Sequence, residues 1–380
     1  MANPFYLQEI SVDAPFCNRI DELKELQSYA EAKTNVVIYS PRRYGKTSLV
    51  KRVQKKLSQK GAVTVFADFF GVASVDDVAA RLAKAVFAIT HKNAPLWKKA
   101  LRAIKSFRPV LKPEIDGSFT LSVEPSSIGI SGMNLLEETM ASLGEFISSN
   151  KNILVHIALD EFQEIVVLKD ALKIEAIMRT YIQQQQGSFF FIGSRRRVLL
   201  GIFNEQQRPF FQSAINYPLK PLPADELEKF IVEQFKSGKK KCSTKMAHRL
   251  ASAIEYHPYY SQKLGFFVFE IADEVTEDAV SRGLEKLLFS EKAVFEATIQ
   301  GLTSQQRLLL HALAKEPTQK ILASSYIRKH GIGSIGGIQH ALRQLEELDL
   351  VEKDEQTGCW NLVDPLFAVW IKGQTEERIT

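Results

Sequence analysis

Apolar and polar positions along the chain follow two rhythms. Residues 36–39 (Val-Val-Ile-Tyr), 62–68, 153–159 and 189–192 are short apolar runs rich in β-branched and aromatic side chains, and they predict buried strands; residues 215–219 predict a short fifth one. Between them the apolar positions recur at helical spacing. The segment after Leu49, residues 74–89 (Val78, Leu82, Ala85, Val86, Ile89), residues 135–148 and residues 171–186 predict amphipathic helices, the last stopped by Gly187. A further helix is expected near the N-terminus, with Asn18 as its N-cap and Leu23, Leu26 and Ala30 on one face. Strands alternating with helices make the first part of the chain an α/β domain with a parallel sheet.

The rhythm changes three times. Residues 109–132 alternate (Phe119, Leu121, Val123, then Ile128, Ile130) around turns at Asp116-Gly117 and Pro125-Ser126-Ser127, which predicts a β-hairpin inserted into the α/β domain. From residue 224 to about 281 the pattern is helical, broken at His257-Pro258-Tyr259-Tyr260, where the proline can form the first turn of a new helix. From residue 302 three helices (304–314, 322–330, 334–348) precede two short strands joined by Thr357-Gly358. That is a winged helix-turn-helix, with the helix from Ser334 as recognition element and Gln339, His340 and Arg343 as its exposed candidates. The expected division is 1–222, 223–298 and 299–380.

Composition narrows the class. At 380 residues the chain exceeds one core; 45% hydrophobic and 24% charged residues are ordinary for a globular protein. No apolar run approaches membrane-spanning length, residues 1–15 lack a signal-peptide pattern, and Cys17, Cys242 and Cys359 form no close pair, so reduced thiols, no membrane and a cytoplasmic setting are expected. The net charge of +5 is uneven. Lys92, Lys98, Lys99, Arg102, Lys105, Arg108 and Lys112 form one basic cluster, and Lys236, Lys239, Lys240, Lys241, Lys245 and Arg249 a second; either could meet a polyanion or be a solvated helix face. Residues 301–380 carry nine Lys and Arg against ten Asp and Glu, too little positive charge for DNA affinity from bulk electrostatics.

Two stretches carry chemistry. After the strand at 36–39 come Ser40-Pro41-Arg42-Arg43-Tyr44-Gly45-Lys46-Thr47-Ser48 and a helix. Strand, Gly-containing loop, Lys-Thr and helix is the layout of a phosphate-binding loop, in which backbone N–H groups and the helix N-terminus cradle a polyphosphate. Lys46 would lie on the β- and γ-phosphates and Thr47 on Mg²⁺. Ser40 stands where the pattern has its first glycine; an ordinary turn with a surface lysine is the alternative. The strand at 153–159 ends in Asp160-Glu161 at the carboxyl edge of the sheet, where α/β ligand sites lie. Asp160 would hold Mg²⁺ and Glu161 would polarise the attacking water. Ser194 leaves the fourth strand at the same edge, followed by Arg195, Arg196 and Arg197; Arg19 fits two readings, lining a base pocket or helix packing.

Taken in order, residues 16–23, 40–49, Leu159-Asp160-Glu161-Phe162-Gln163, Ile192-Gly193-Ser194, residues 219–222, His257-Pro258-Tyr259-Tyr260 and Val363-Asp364-Pro365-Leu366-Phe367 resemble the archaeal-type ATPase family of the STAND class, in the AAA+ group. The resemblance implies a P-loop core, a helical lid and a C-terminal winged helix. It implies ATP or ADP with Mg²⁺ as ligands, Lys46 on the phosphates, Thr47 and Asp160 on the metal, Glu161 as base, Ser194 as sensor and Pro258 near the adenine. Residues 209–213 lack the Gly-Arg pair common in the family, leaving Arg208 or one of Arg195–Arg197 as substitutes for a trans-acting arginine. The expected function is a nucleotide-driven switch that hydrolyses ATP, with oligomerisation on ATP and a protein partner as further expectations. The alternatives are a DNA-binding ATPase resembling replication initiators and a non-hydrolysing nucleotide-bound scaffold.

Overall fold

The computed structural model describes residues 3–7, 12, 14–90, 107–113, 119–126, 130–354 and 357–377. These divide into two compact units. One runs Arg19–Lys220; the other joins Ala14–Asn18 and the described residues before Ile10 to the chain from Pro221 onward.

In the first unit α1 (Ile20–Glu31) leads to β1 (Val36–Tyr39), α2 (Lys46–Gln59), β2 (Val63–Asp68) and α3 (Val75–Thr90). After the hairpin β3 (Phe107–Pro113) and β4 (Phe119–Pro125) come α4 (Gly132–Ser149), β5 (Val155–Asp160), a 3₁₀ turn (Phe162–Val167), α5 (Ala171–Gln184), β6 (Ser188–Gly193), α6 (Arg196–Asn204) and β7 (Ile215–Pro218). Five strands pair in the order β2-β5-β6-β1-β7, all parallel. Burial explains the order. β1, β5 and β6 are buried at every position, as central strands of a parallel sheet covered on both faces must be. β2 alternates buried and partly exposed positions, and only Tyr217 of β7 is buried, so these two can tolerate the edges. One face of the sheet packs on Phe162, Phe191, Phe203 and Phe210, whose rings lie 4.8–6.0 Å apart, mostly edge-on or tilted.

The hairpin pairs antiparallel outside that sheet, with Arg108 meeting Glu124 across it at 3.1 Å. Of the first basic cluster, Lys92, Lys98, Lys99, Arg102 and Lys105 lie outside the described residues, as do the Asp116-Gly117 turn and Ile128. The expected Asn18 cap is not formed. Helix α1 starts one residue later, Arg19 holds the N-cap position at φ 84, and Asn18 has φ 39. Neither residue has the extended backbone from which a side chain caps a helix.

Among its described residues the second unit is helical apart from one hairpin and two isolated bridges, Lys241 with Glu274 and Thr318 with Trp360. It contains α7 (Ala224–Ser237), α8 (Thr244–Ser252), α9 (Pro258–Ile271), α10 (Glu277–Gln300), α11 (Ser304–Lys315), α12 (Ser324–His330) and α13 (Ile335–Glu347), then β8 (Val351–Lys353), β9 (Trp360–Leu362) and α14 (Pro365–Glu377). Sequence chemistry sets the helix starts: His257 Nδ1 accepts from the Tyr260 N–H ahead of Pro258, Thr303 and Gln306 form a capping box, and Ser334 caps α13. Helices α11–α13 with the antiparallel β8–β9 pair form the winged helix. One hydrophobic core runs through this unit from Phe5 to Ile371, so the lid and winged-helix segments share their interior. Phe5, at the start of the chain, is seated here against Phe235 (5.0 Å between rings), where Gly265 leaves its space: a Cβ there would lie 2.5 Å from the Phe5 ring.

Candidate nucleotide site

The site is built at the carboxyl edge of the sheet. Parallel pairing places Tyr39 beside Gly193 and Asp68 beside Asp160, so the residues that follow leave the sheet at one edge. The loop after β1 turns through left-handed backbone at Arg43 (φ 64) and Gly45 (φ 85), the latter the N-cap position of α2. Glycine adopts that conformation without the strain a side chain would bring. Arg42 and Arg43 are exposed, Pro41, Tyr44 and Thr47 are partly buried, and Ser40, Lys46 and Ser48 are buried.

Lys46 is an ammonium at 5% exposure, which needs partners. Its Nζ donates to the carbonyls of Ser40 at 2.9 Å and Pro41 at 2.8 Å, and to Ser40 Oγ at 3.3 Å. The serine in place of the first loop glycine is thus a ligand of the lysine. The Thr47 hydroxyl donates to Asp160 Oδ2 at 2.6 Å, and the Glu161 N–H donates to Asp160 Oδ1 at 2.9 Å. Burial pushes the Asp160 carboxyl up to about 6; the Thr47 bond and the Glu161 N–H pull it down, while the charges of Glu161 and Asp68 push it up.

Glu161 sits at φ 48 and ψ 41, a left-handed residue that turns the chain into the 3₁₀ segment. Its carboxylate accepts from Ser194 Oγ at 3.2 Å and from Gln163 Nε2. Gln163 is fully buried, and no role for it was read from the sequence. Its only signal was its place two residues after Glu161; periodicity gave no 3₁₀ turn to bring it back. The predicted Asp160, Glu161, Ser194, Lys46 and Thr47 are therefore brought to one edge. Arg19 is buried at the start of α1, with Nη1 2.6 Å from Glu22. Pro258 opens α9 in the other unit.

The candidate arginines have other neighbours. Arg195 lies 3.7 Å from Glu164, Arg196 stands 5.6 Å over the Tyr39 ring, and Arg208 donates from Nε and Nη2 to the two oxygens of Glu175, whose side chain is fully buried. In the second basic cluster, Lys240 donates to the carbonyls of Phe269 and Ala272 and Arg249 pairs with Glu277, so part of that charge is spent within the unit.

A magnesium-nucleotide fits this donor set. Among the described residues no group of three or more His, Cys, Asp and Glu could hold a metal alone. A hydroxyl and one carboxylate, completed by phosphate oxygens and water, is how magnesium is commonly held, and Thr47 with Asp160 supplies that pair.

A parallel five-stranded sheet with a lysine-threonine loop at its carboxyl edge, beside an Asp-Glu strand end, is a P-loop ATPase fold. The chain belongs to the family described as the ATPase domain predominantly from Archaea, whose model matches residues 16–245, and residues 293–373 match a probable winged helix domain. Among curated proteins none matches it in sequence. Solved structures share the fold. The Walker-type ATPase PABY2304 of Pyrococcus abyssi superposes with a TM-score of 0.68 at 14% identity, covering 94% of this chain and 96% of that one. The ORC2 protein of Aeropyrum pernix, in ADPNP–ADP complexes, does so with 0.57 at 13% identity over 98% of both chains. Among the described residues no helix is long and apolar enough to cross a membrane.

Proposed function

We propose that the chain is a STAND-type switch of the cytoplasm that binds ATP with Mg²⁺ and hydrolyses it. The observation that carries this is the 2.6 Å bond between the Thr47 hydroxyl and Asp160, which joins the loop to the acidic strand end. Lys46 exchanges its loop oxygens for the β- and γ-phosphates. Thr47 and Asp160 would hold the metal, which would offset phosphate charge. Glu161, fixed by Gln163 and Ser194, takes a proton from the water that attacks the γ-phosphorus in line; the bond to the β–γ bridging oxygen breaks, giving ADP and phosphate. Arg19 and Pro258 are assigned to the base end of the nucleotide, and residues 223–298 and 299–380 to the lid and winged helix that respond to it. A protein partner and ATP-dependent oligomerisation complete the reading.

The test is isothermal titration with phosphate release. Lys46→Ala should abolish ATP binding, and Glu161→Gln should keep binding and lose turnover. Unchanged ATP affinity in Lys46→Ala overturns the assignment. A nucleotide-bound scaffold is the outcome if ATP raises the melting temperature and no phosphate is ever released.

A second reading, a DNA-associated ATPase, is favoured by the likeness in fold to ORC2 over the whole chain. Duplex DNA binding that depends on ATP across a salt series supports it, and no binding at low salt removes it.

A further inference from the structure

The winged helix carries its charge unevenly along its sequence. Residues 301–333, which include α11 and α12, hold Arg307, Lys315, Lys320, Arg328 and Lys329 against Glu316 alone. Residues 334–380, with α13, the wing and α14, hold four Lys and Arg against nine Asp and Glu. A recognition helix and wing of that composition repel phosphate, and the near-neutral total hides the basic half.

The basic half supplies most of the lining of a cavity of about 640 Å³, within the range of small-ligand sites, with Ile299, Trp370 and Gln374 completing it. Its apolar lining comes from Ile299, Leu308, Ala312 and Trp370, and its basic lining on α11 from Arg307, His311 and Lys315. These three recur every fourth residue, so they share one helix face about 6 Å apart along the axis, close to the spacing of phosphates on an extended strand. Lys329 and His330 also line the cavity, but Glu316, the one acid of this half, accepts from them at 2.6 and 2.9 Å. Leu308, on the same helix, is 46% exposed. Apolar and aromatic lining beside basic side chains repeated along one helix face is the arrangement that binds single-stranded nucleic acid, bases against the apolar side chains and backbone along the basic ones.

We infer that this cavity, and not the recognition helix, is a binding site for single-stranded nucleic acid. The inference uses no residue of the nucleotide site and stands independently of the reading above.

The experiment is fluorescence anisotropy of the full chain with a fluorescein-labelled oligothymidylate of about 20 nucleotides, across a salt series. Arg307→Gln with Lys315→Gln should weaken binding about tenfold or more and make the log–log salt slope shallower by about 1.4. Arg343→Gln with Lys353→Gln, on the recognition helix and wing, should leave affinity within about twofold. Leu308→Glu adds an acid at an exposed position without touching the core and should reproduce the first loss, which guards against misfolding of the double variant. The inference is overturned if the full chain does not bind at low salt, if Arg307→Gln with Lys315→Gln binds as the unaltered chain does, if duplex DNA of the same length binds as tightly, or if polyglutamate competes as well as the oligonucleotide.

Discussion

The Tyr260 hydroxyl donates a 2.6 Å hydrogen bond to Asp364 Oδ2, tying the turn that opens α9 to the turn that opens α14 across 104 residues of sequence. Asp364 Oδ1 accepts from the N–H groups of Leu366 and Phe367, so one carboxylate caps α14 and holds the lid segment to the winged helix. The sequence had marked His257-Pro258-Tyr259-Tyr260 and Val363-Asp364-Pro365 as separate motifs, and the structure joins them.

A hydrogen bond to a carboxylate contributes about 1.5–3 kcal/mol, and Tyr260 is almost fully buried. Tyr260→Phe should lower stability by about that much. Asp364→Ala should cost more, because the cap is lost as well. Urea denaturation of Tyr260→Phe, Asp364→Asn and the double variant gives the coupling directly. Additive losses would mean that the contact contributes nothing of its own.

Gln163 is the residue through which the proposed base can be misplaced without being removed. Its Nε2 donates to Glu161, while its Oε1 has no hydrogen-bond partner among the described residues, so Gln163→Leu should be well tolerated by the fold. Among the described residues, Glu161 then keeps only Ser194 as a side-chain partner. Turnover should fall by roughly ten- to a hundredfold with ATP affinity within about twofold, as expected for loss of positioning alone. Gly193→Ala should do the same from the opposite side, since its Cβ would sit 2.0 Å from Gln163 Oε1. An equal fall in ATP affinity in both variants would show that Gln163 supports the loop and not the base.

How far the sequence reached follows from what each feature depends on. Strands β1, β5 and β6 and the helices from Lys46, Ala171 and Ser304 were legible because each buries a continuous or periodic apolar face. Ser334 was placed at the start of the recognition helix, and Pro258 in the first turn of its helix, because capping chemistry is local. Lys46, Thr47, Asp160, Glu161 and Ser194, which the fold gathers at one sheet edge, were singled out by the same route, as loop and strand-end motifs. Hidden were features made by distant partners, Tyr260 with Asp364 and Arg208 with Glu175, and one made by the local path of the loop, Ser40 as a ligand of Lys46. Helix α6 was also missed, because Arg195-Arg196-Arg197 reads equally well as a solvated turn. Its apolar residues Leu199, Ile202 and Phe203 commit it to the core.

The metal half of the site can be separated from the phosphate half at Thr47. Valine has nearly the shape of threonine and no hydroxyl. Thr47→Val should leave metal-free ATP affinity within a few-fold while erasing at least tenfold of the tightening produced by Mg²⁺, and Thr47→Ser should restore it. Titrations in EDTA and in Mg²⁺ check this. If Thr47→Val tightens with Mg²⁺ as the unaltered chain does, the metal is not held at the Thr47–Asp160 pair.

Glu175 gives the fold a pH dependence of defined sign. Burial pushes its carboxyl up to about 7 from an ordinary 4.5, even though the Arg208 charge and hydrogen bonds pull it down. A carboxyl that binds its proton more tightly folded than unfolded stabilises the fold most below the unfolded value. Its contribution is lost as pH rises from about 4.5 through 7, by at most about 3 kcal/mol. Glu175→Gln removes that titration while leaving Arg208 an acceptor. Its urea midpoint should therefore match the unaltered chain near pH 5 and exceed it near pH 8. Arg208→Ala should destabilise by about 3–5 kcal/mol at pH 8, where it strands a buried charge, and by less at pH 5. The same pair bears on the trans-acting arginine. If Arg208 served a neighbouring copy it would have to leave Glu175, so Arg208→Ala would abolish turnover at pH 5 as well as at pH 8. Turnover at pH 5 that follows the milder loss of stability instead assigns Arg208 to the fold.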